Sequence, residues 1–267
     1  GRSGRDTGKR MATVISFSSQ KGGVGKTTSA IHLATAFALG GYKTLLVDLD
    51  PQGSVQSALG IREHPAQGTR ELFCDPNFEF DAVRVGGEHK NLDYILSNMS
   101  RLTEEQEVVR VAADYHFLRE RVEEHLDERY DFVLIDVPPA TNPVSINAMI
   151  ASDLVMVPLQ CEALAIKSLK RFLLAFRDLQ NNIDPNLRIA GVLLTMFNRN
   201  IRAHQQVCKQ VYQALGESVF QTIIPECSYI LEASAIGMDV IKRRLNSVGA
   251  TGYIRLANEV LDRFELR

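Results

Sequence analysis

The 267-residue sequence predicts an α/β fold, a single domain with a mostly parallel, twisted sheet and helices on both faces. Three observations point to it. Short, near-continuous apolar runs rich in β-branched residues read as strands buried on both sides. Segments with helical spacing separate those runs, as crossovers between parallel strands require. No internal repeat marks off a second domain.

Taken in order, residues 1–10 ("GRSGRDTGKR") have no apolar period and precede Met11, so they read as an expression remnant or a disordered arm, leaving 11–267 as the folded domain. Thr13–Phe17 ("TVISF") is predicted as a buried strand, and Thr27–Leu39 as a helix closed by Gly40-Gly41. Thr44–Asp48 ("TLLVD") is the next strand. Residues 60–91 hold Pro65, Pro76 and Gly86-Gly87 and carry no clear period. Leu92–Leu96 is a weaker strand. Thr103, with Gln106 three residues on, predicts a capping box that opens a helix. Val108, Val111, Ala112, Tyr115, Leu118, Val122 and Leu126 continue that helix at one spacing. Phe132–Asp136, Leu154–Pro158 and Ile189–Thr195 are further strands, and Ala163–Leu179, Ala203–Leu215 and Gly252–Arg263 are further helices.

Composition narrows the function. Hydrophobic content of 45% and charged content of 23% fit a globular domain, and a net charge of −2 excludes a molecule that is basic overall, though not a local basic patch. No apolar run approaches the roughly 18 residues of a membrane span. Cys74, Cys161, Cys208 and Cys227 form no C-x-x-C pair, and the six histidines show no H-E-x-x-H spacing, so zinc and iron–sulfur sites lose their support. Buried free thiols of a reducing cytoplasm are the expectation.

Between the first strand and the first helix lies Ser18–Thr28, "SSQKGGVGKTT". Glycines let backbone N–H groups approach phosphates, and the helix N-terminus adds a favourable dipole. Gly22, Gly23, Val24, Gly25 and Thr28 are therefore expected to line a phosphate cradle, with Lys26 on the β- and γ-phosphates and the Thr27 hydroxyl on Mg²⁺. The usual G-x-x-x-x-G-K-[ST] spacing fails by one residue, because Gln20 stands where its first glycine belongs and a second lysine, Lys21, follows. The second strand ends in "DLDPQ", whose Asp48 and Asp50 share one face of an extended segment and are expected to face the crevice at the sheet edge, where a carboxylate orients or deprotonates water; capping of the next helix is the structural alternative. "FVLID" ends in Asp136, expected to hold Mg²⁺ through a water, with Pro138 in the stiff loop beyond.

"KGGVGKTT", "LLVDLDPQGS" and "FVLIDVPPA" resemble the deviant Walker A, A′ and B segments of the ParA/Soj group within the ParA/MinD ATPases. The likeness continues through Ile146-Asn147-Ala148, Ser152-Asp153, "VPLQCE", "LLTMFN" and "GYIRLANEVL", covering the chain from Met11 to its last helix. It implies ATP and Mg²⁺ as ligands and slow ATP hydrolysis as the activity. Lys21 would cross a dimer interface to the partner's nucleotide, and Gly22 would stay small so that two loops meet. Asp50 matches the hydrolytic aspartate, Asp136 the Walker B aspartate, Asn198 the adenine-recognising asparagine, and Ile224-Pro225 a loop lining the base.

One departure stands out. Where that group carries I-P-R-N-V-R-L, this chain has Ile224-Pro225-Glu226-Cys227-Ser228-Tyr229-Ile230, so Glu226 and Tyr229 replace two arginines of the family's DNA-binding surface. Lys242, Arg243 and Arg244 downstream, with Arg199, Arg202 and Lys209, are candidates for a displaced basic patch. The tail "ANEVLDRFELR" carries Glu259, Asp262 and Glu265 and lacks the basic apolar stripe of a membrane-targeting helix.

The resemblance implies a cytoplasmic, nucleoid-associated ATPase that forms an ATP sandwich dimer and binds duplex DNA without sequence preference. A ParB-like or cargo-adaptor protein would reset it, and plasmid or chromosome DNA would be the cargo. The alternatives are positioning of a protein cargo, such as a chemoreceptor cluster, flagellar pole or microcompartment, and an ATP-dependent small-molecule synthetase of the same fold. The absence of an operator-binding segment before the first strand argues against autorepression.

Overall fold

The computed structural model describes residues 11–126, 128–139 and 141–267; the expectation for residues 1–10 lies outside them. Its strands are β1 (Thr13–Phe17), β2 (Thr44–Asp48), β3 (Arg84–Gly86), β4 (Leu92–Ile95), β5 (Phe132–Asp136), β6 (Leu154–Gln160) and β7 (Ile189–Thr195). They form one sheet in the order β3-β4-β2-β5-β1-β6-β7, parallel throughout except for β3, which pairs antiparallel with β4. The helices are α1 (Lys26–Leu39), α2 (Ser54–Ala58), α3 (Thr69–Cys74), α4 (Phe80–Val83), α5 (Leu102–Val111), α6 (Phe117–His125), α7 (Pro143–Ala151), α8 (Ala165–Asn182), α9 (Arg202–Leu215), α10 (Ser228–Ala235), α11 (Val240–Arg243) and α12 (Val248–Arg263).

Strand periodicity sorts the core into layers. Ile15, Phe17, Leu46, Phe132 and Leu134 pack toward α1 and α12, while Val14, Leu45, Val47, Val133 and Ile135 pack with residues of α3, α5, α6 and α7. A third cluster joins β6 and β7 to α8 and α9 through Val157, Leu194, Phe172, Phe176 and Val211. Because every central strand is covered on both faces, none shows the alternating polarity of a half-exposed sheet.

All six predicted strands are present, with β6 running two residues further than expected. The helix expected from Thr103 through Leu126 is instead α5 and α6, separated at residues 112–116. Its start also differs, since α5 begins at Leu102 and Glu104, not Gln106, turns back to accept the Arg101 and Ser100 N–H groups at 3.0 and 2.8 Å. The break is held by Asn147 of α7, whose amide donates to the Ala112 and Asp114 carbonyls at 2.6 and 2.8 Å and whose oxygen accepts the Leu118 N–H at 2.9 Å. One side chain thereby satisfies the backbone groups that the interruption exposes.

The irregular stretch 60–91 contains α3, α4 and β3. These elements are too short for a period to register, and they are fixed by distant contacts. A Cβ on Gly68 would lie 2.2 Å from the Leu96 carbonyl oxygen, so only glycine lets the chain enter α3 there. All four cysteines are free, but only Cys161 is fully buried; Cys74, Cys208 and Cys227 are half-buried rather than enclosed as expected. No helix among the described residues is long and apolar enough to cross a membrane.

Candidate nucleotide site

Strand register builds the site. Phe17 and Asp48 both lie beside Asp136 across β1–β5 and β2–β5, so the loops that follow all three strands leave the same end of the sheet. Central strands whose neighbours turn away in opposite directions open a crevice at their carboxyl ends.

The loop 18–25 fills that crevice. Gly23 and Gly25 adopt φ of 76° and 88°, a region that side-chain-bearing residues avoid. The Thr195 hydroxyl at the end of β7 donates to the Val24 carbonyl at 2.9 Å and fixes the loop against the sheet. Gly25 is the N-cap of α1, and no side chain caps that helix. Its first N–H groups, on Lys26, Thr27 and Thr28, are thus available to an anion, in the geometry that binds phosphate. Gly22 is different: a Cβ there would make ordinary contact with Pro139 at 3.8 Å, so nothing among the described residues crowds this position.

Lys26 is buried at the base of the loop, near Asp136 and Asp50. Burial lowers its pKa, and the two carboxylates oppose that shift. The Thr27 hydroxyl donates to Asp136 Oδ2 at 2.6 Å. Asp136 Oδ1, also buried, has no hydrogen-bond partner among the described residues. Burial pushes the Asp136 carboxyl up to about 7, against the Thr27 hydrogen bond and the Lys26 charge. A buried, unpartnered carboxylate oxygen beside a threonine hydroxyl fits a hydrated Mg²⁺, which takes oxygen ligands and keeps much of its water.

The two aspartates of β2 separate in role. Asp48 is fully buried and accepts the Asp50 and Val55 N–H groups at 3.0 and 3.2 Å, which makes it the structural cap of the loop and of α2. Burial and the Asp136 carboxylate raise its pKa well above the usual range. The expectation that both carboxylates face the crevice is therefore corrected. Asp50 alone stands with Lys26 and Asp136; one of its oxygens accepts the Gln52 N–H at 3.0 Å.

At the far end of the crevice, Phe197 and Pro225 are joined by a parallel bridge that sets Asn198 beside Pro225. The Asn198 amide donates to Glu226 at 2.9 Å, and its oxygen accepts the Asn200 N–H at 3.0 Å. Glu226, noted in the sequence only as a lost arginine, is thus a hydrogen-bond partner of Asn198. Lys21 forms an ion pair with Glu162, at the end of "VPLQCE"; the sequence signalled neither that pairing nor the role of Thr195.

The basic candidates do not stand alike. Lys242, Arg243 and Arg244 are exposed on and just after α11, and Arg199 and Arg202 are exposed beside Asn198 at the start of α9, on a separate element. Lys242 is ion-paired with Glu88. The Arg244 guanidinium lies 4.2 Å from the ring centre of Tyr229, so one residue that replaced an arginine now supports another.

A family model described as an AAA domain matches residues 12–189. The chain is 36% identical to the chromosome partitioning protein ParA of Caulobacter vibrioides over 94% of both proteins. It is 37% identical to the chromosome-partitioning ATPase Soj of Thermus thermophilus over 94% of this chain and 96% of that one. Among solved structures it is similar to cobyrinic acid a,c-diamide synthase from Mycobacterium smegmatis with bound ATP analog and magnesium, with a TM-score of 0.81, 27% identity, and coverage of 95% of this chain and 96% of that one.

Proposed function

Because the chain belongs to the ParA/Soj family of partitioning ATPases, we propose that it is an ATP-switched partitioning protein that pairs face to face when it binds Mg-ATP and then holds duplex DNA without sequence preference. Lys26 and the first N–H groups of α1 bind the phosphates. Thr27, and Asp136 through water, would hold Mg²⁺, which would supply positive charge to offset that of the phosphates. Asp50 orients the attacking water or takes its proton, beside the phosphates rather than on them. Asn198 and Pro225 receive the base. Arg243 and Arg244, with Lys242 once freed from Glu88, meet DNA phosphates, with Arg199 and Arg202 at the start of α9 as further contacts. A ParB-like or cargo-adaptor protein accelerates a slow hydrolysis that returns the monomer.

The observation that carries this reading is Lys21. The cradle is complete with Lys26, yet a second lysine sits on its rim, held only by a carboxylate of its own chain. Among the described residues nothing crowds Gly22, which is consistent with a small residue kept there for the approach of another loop as well as of phosphate. A lysine that reaches a partner's phosphates gives ATP unequal affinity for dimer and monomer, the condition for a nucleotide switch. Light scattering with Mg-ATP tests it. The parent should double in mass, and Lys21→Ala should bind ATP yet stay monomeric; a normal Lys21→Ala dimer removes the intersubunit contact.

The structural likeness to a diamide synthase supports a second reading, ATP-dependent modification of a small molecule. The partitioning proteins are the more similar in sequence, which favours the first. Turnover stimulated by DNA and an adaptor protein, rather than by a carboxylic acid and an amine donor, separates the two.

A further inference from the structure

His32 lies on the buried side of α1, one turn beyond the phosphate loop, and belongs to none of the motifs. Its Nδ1 lies 2.6 Å from the Thr28 carbonyl oxygen, and its Nε2 accepts the Val240 N–H at 3.0 Å. The two partners fix the tautomer: the proton sits on Nδ1 and the lone pair on Nε2 faces α11. The ring stacks on Tyr253 of α12, with centroids 4.9 Å apart, and the Tyr253 hydroxyl meets Ser29 Oγ at 3.3 Å. A neutral, aromatic, doubly bonded side chain thus joins the residue after Thr27 to the first residue of α11.

That join matters because α11 is four residues long. A helix of one turn has no stability of its own, so its position is set by what anchors its ends. Asp239 accepts the Lys242 N–H at 2.7 Å, and His32 takes the Val240 N–H. The chain entering α11 meets a second segment, the one that continues from Asp50 through α2. Gly60, which follows α2 and the Asp50 loop, touches Gly237 so closely that a Cβ on Gly60 would lie 2.7 Å from the Gly237 Cα. Both glycines have positive φ, 64° and 72°. The phosphate-loop helix and the Asp50 segment therefore converge on the short element that presents Lys242, Arg243 and Arg244.

We propose that His32 is a positioning residue that couples the phosphate loop to α11, so that filling the loop with nucleotide orders the basic segment Lys242–Arg244, with the Gly60–Gly237 contact as the second tether. The role given to the basic segment rests on the DNA reading above; the coupling does not.

Hydrogen exchange over residues 239–244, with and without Mg²⁺ and a non-hydrolysable ATP analogue, tests the link. In the parent the analogue should slow exchange there by about fivefold or more, the lower end of ordinary coupling between sites. His32→Leu should bind the analogue with unchanged affinity and lose that response. His32→Gln, whose amide oxygen can accept the Val240 N–H, should restore it; a merely structural role would not separate these two variants. Gly60→Ala, which disturbs the second tether without touching the buried ring, should weaken the response and keeps the test open if His32→Leu does not fold. No response in the parent, or a full response in every variant that binds the analogue, overturns the coupling. DNA affinity of the parent at low salt distinguishes the two readings: a parent that responds but binds no DNA keeps the coupling and loses DNA as the partner of α11.

Discussion

The two ends of the nucleotide crevice are built differently. At the phosphate end, Asp136 ends β5 and Lys26, Thr27 and Asp50 follow the two strands beside it, so the strand register brings them together. At the Asn198 end, Asn198, Pro225 and Glu226, and beyond them Tyr229 with Arg244, lie on loops and short helices whose places depend on one another. A site fixed by a sheet tolerates little change in residue type. One assembled from loops can exchange arginines for a glutamate and a tyrosine and regain positive charge elsewhere.

Substitutions at the phosphate end should act on chemistry or binding cleanly. Asp50→Ala should lower the rate of ATP hydrolysis by about a hundredfold to ten-thousandfold, the range of a lost general base, while calorimetry shows ATP still bound and scattering shows the dimer accumulating. Parental turnover in that variant would place the water-directing role elsewhere. Lys26→Ala should weaken ATP binding by about a hundredfold, since removing one member of a buried charge pair costs about 3 kcal/mol. Calorimetry reads this directly, and retained affinity would count against the contact.

The Asn198 end should respond by degrees. Each lysine or arginine on a DNA phosphate contributes about 0.9 to the slope of log affinity against log salt. Arg243→Ala with Arg244→Ala should flatten that slope by roughly 2 units per subunit, and Lys242→Ala should add less than a full further unit, because Lys242 must first leave Glu88. Titration with a non-hydrolysable ATP analogue measures it, and an unchanged slope removes α11 from the interface.

A smaller effect sharpens the comparison from the other side. Burial lifts Asp136 from 3.8 to about 7, so between those values the folded protein holds a proton that the unfolded chain has released. The stability this contributes is complete below pH 3.8 and is lost as pH rises through about 7. This contribution should lower the melting point of nucleotide-free protein near pH 8 relative to pH 5, while buried His32, whose pKa is lowered, acts in the opposite direction as pH falls below 6.5. Asp136→Asn should remove much of that difference, with Asp48, raised in the same direction, supplying a remainder. The same pH dependence of melting in the parent and in Asp136→Asn would contradict the buried carboxyl.

Whether a feature could be read from the sequence follows the range of the forces behind it. Each central strand is a local run whose burial its own residues declare, and the phosphate loop is a local turn whose glycines and lysine must be contiguous. The break between α5 and α6 cannot be read in this way, because the side chain that stabilises it, Asn147, lies about thirty residues further along the chain. For the same reason Asp48 and Asp50 looked equivalent as neighbours on a strand, and only the Val55 N–H distinguishes them. The pairing of Lys242 with Glu88, and that of Lys21 with Glu162, join residues more than a hundred positions apart. His32 gave no signal at all, since a lone histidine among apolar residues reads as core until Val240 is placed beside it.

The stretch that carries Pro225 and Glu226 has a second duty at the margin of the sheet. Phe220 N–H bonds the Val192 carbonyl, Ile224 N–H the Leu194 carbonyl and Glu226 N–H the Phe197 carbonyl, so the chain follows the outer rim of β7 as an irregular guard strand. Were it to peel away, β7 would present a bare row of backbone donors and acceptors, a template on which another chain can pair. These backbone bonds therefore do for β7 what a neighbouring strand would do, and they keep its outer margin from serving as a pairing edge.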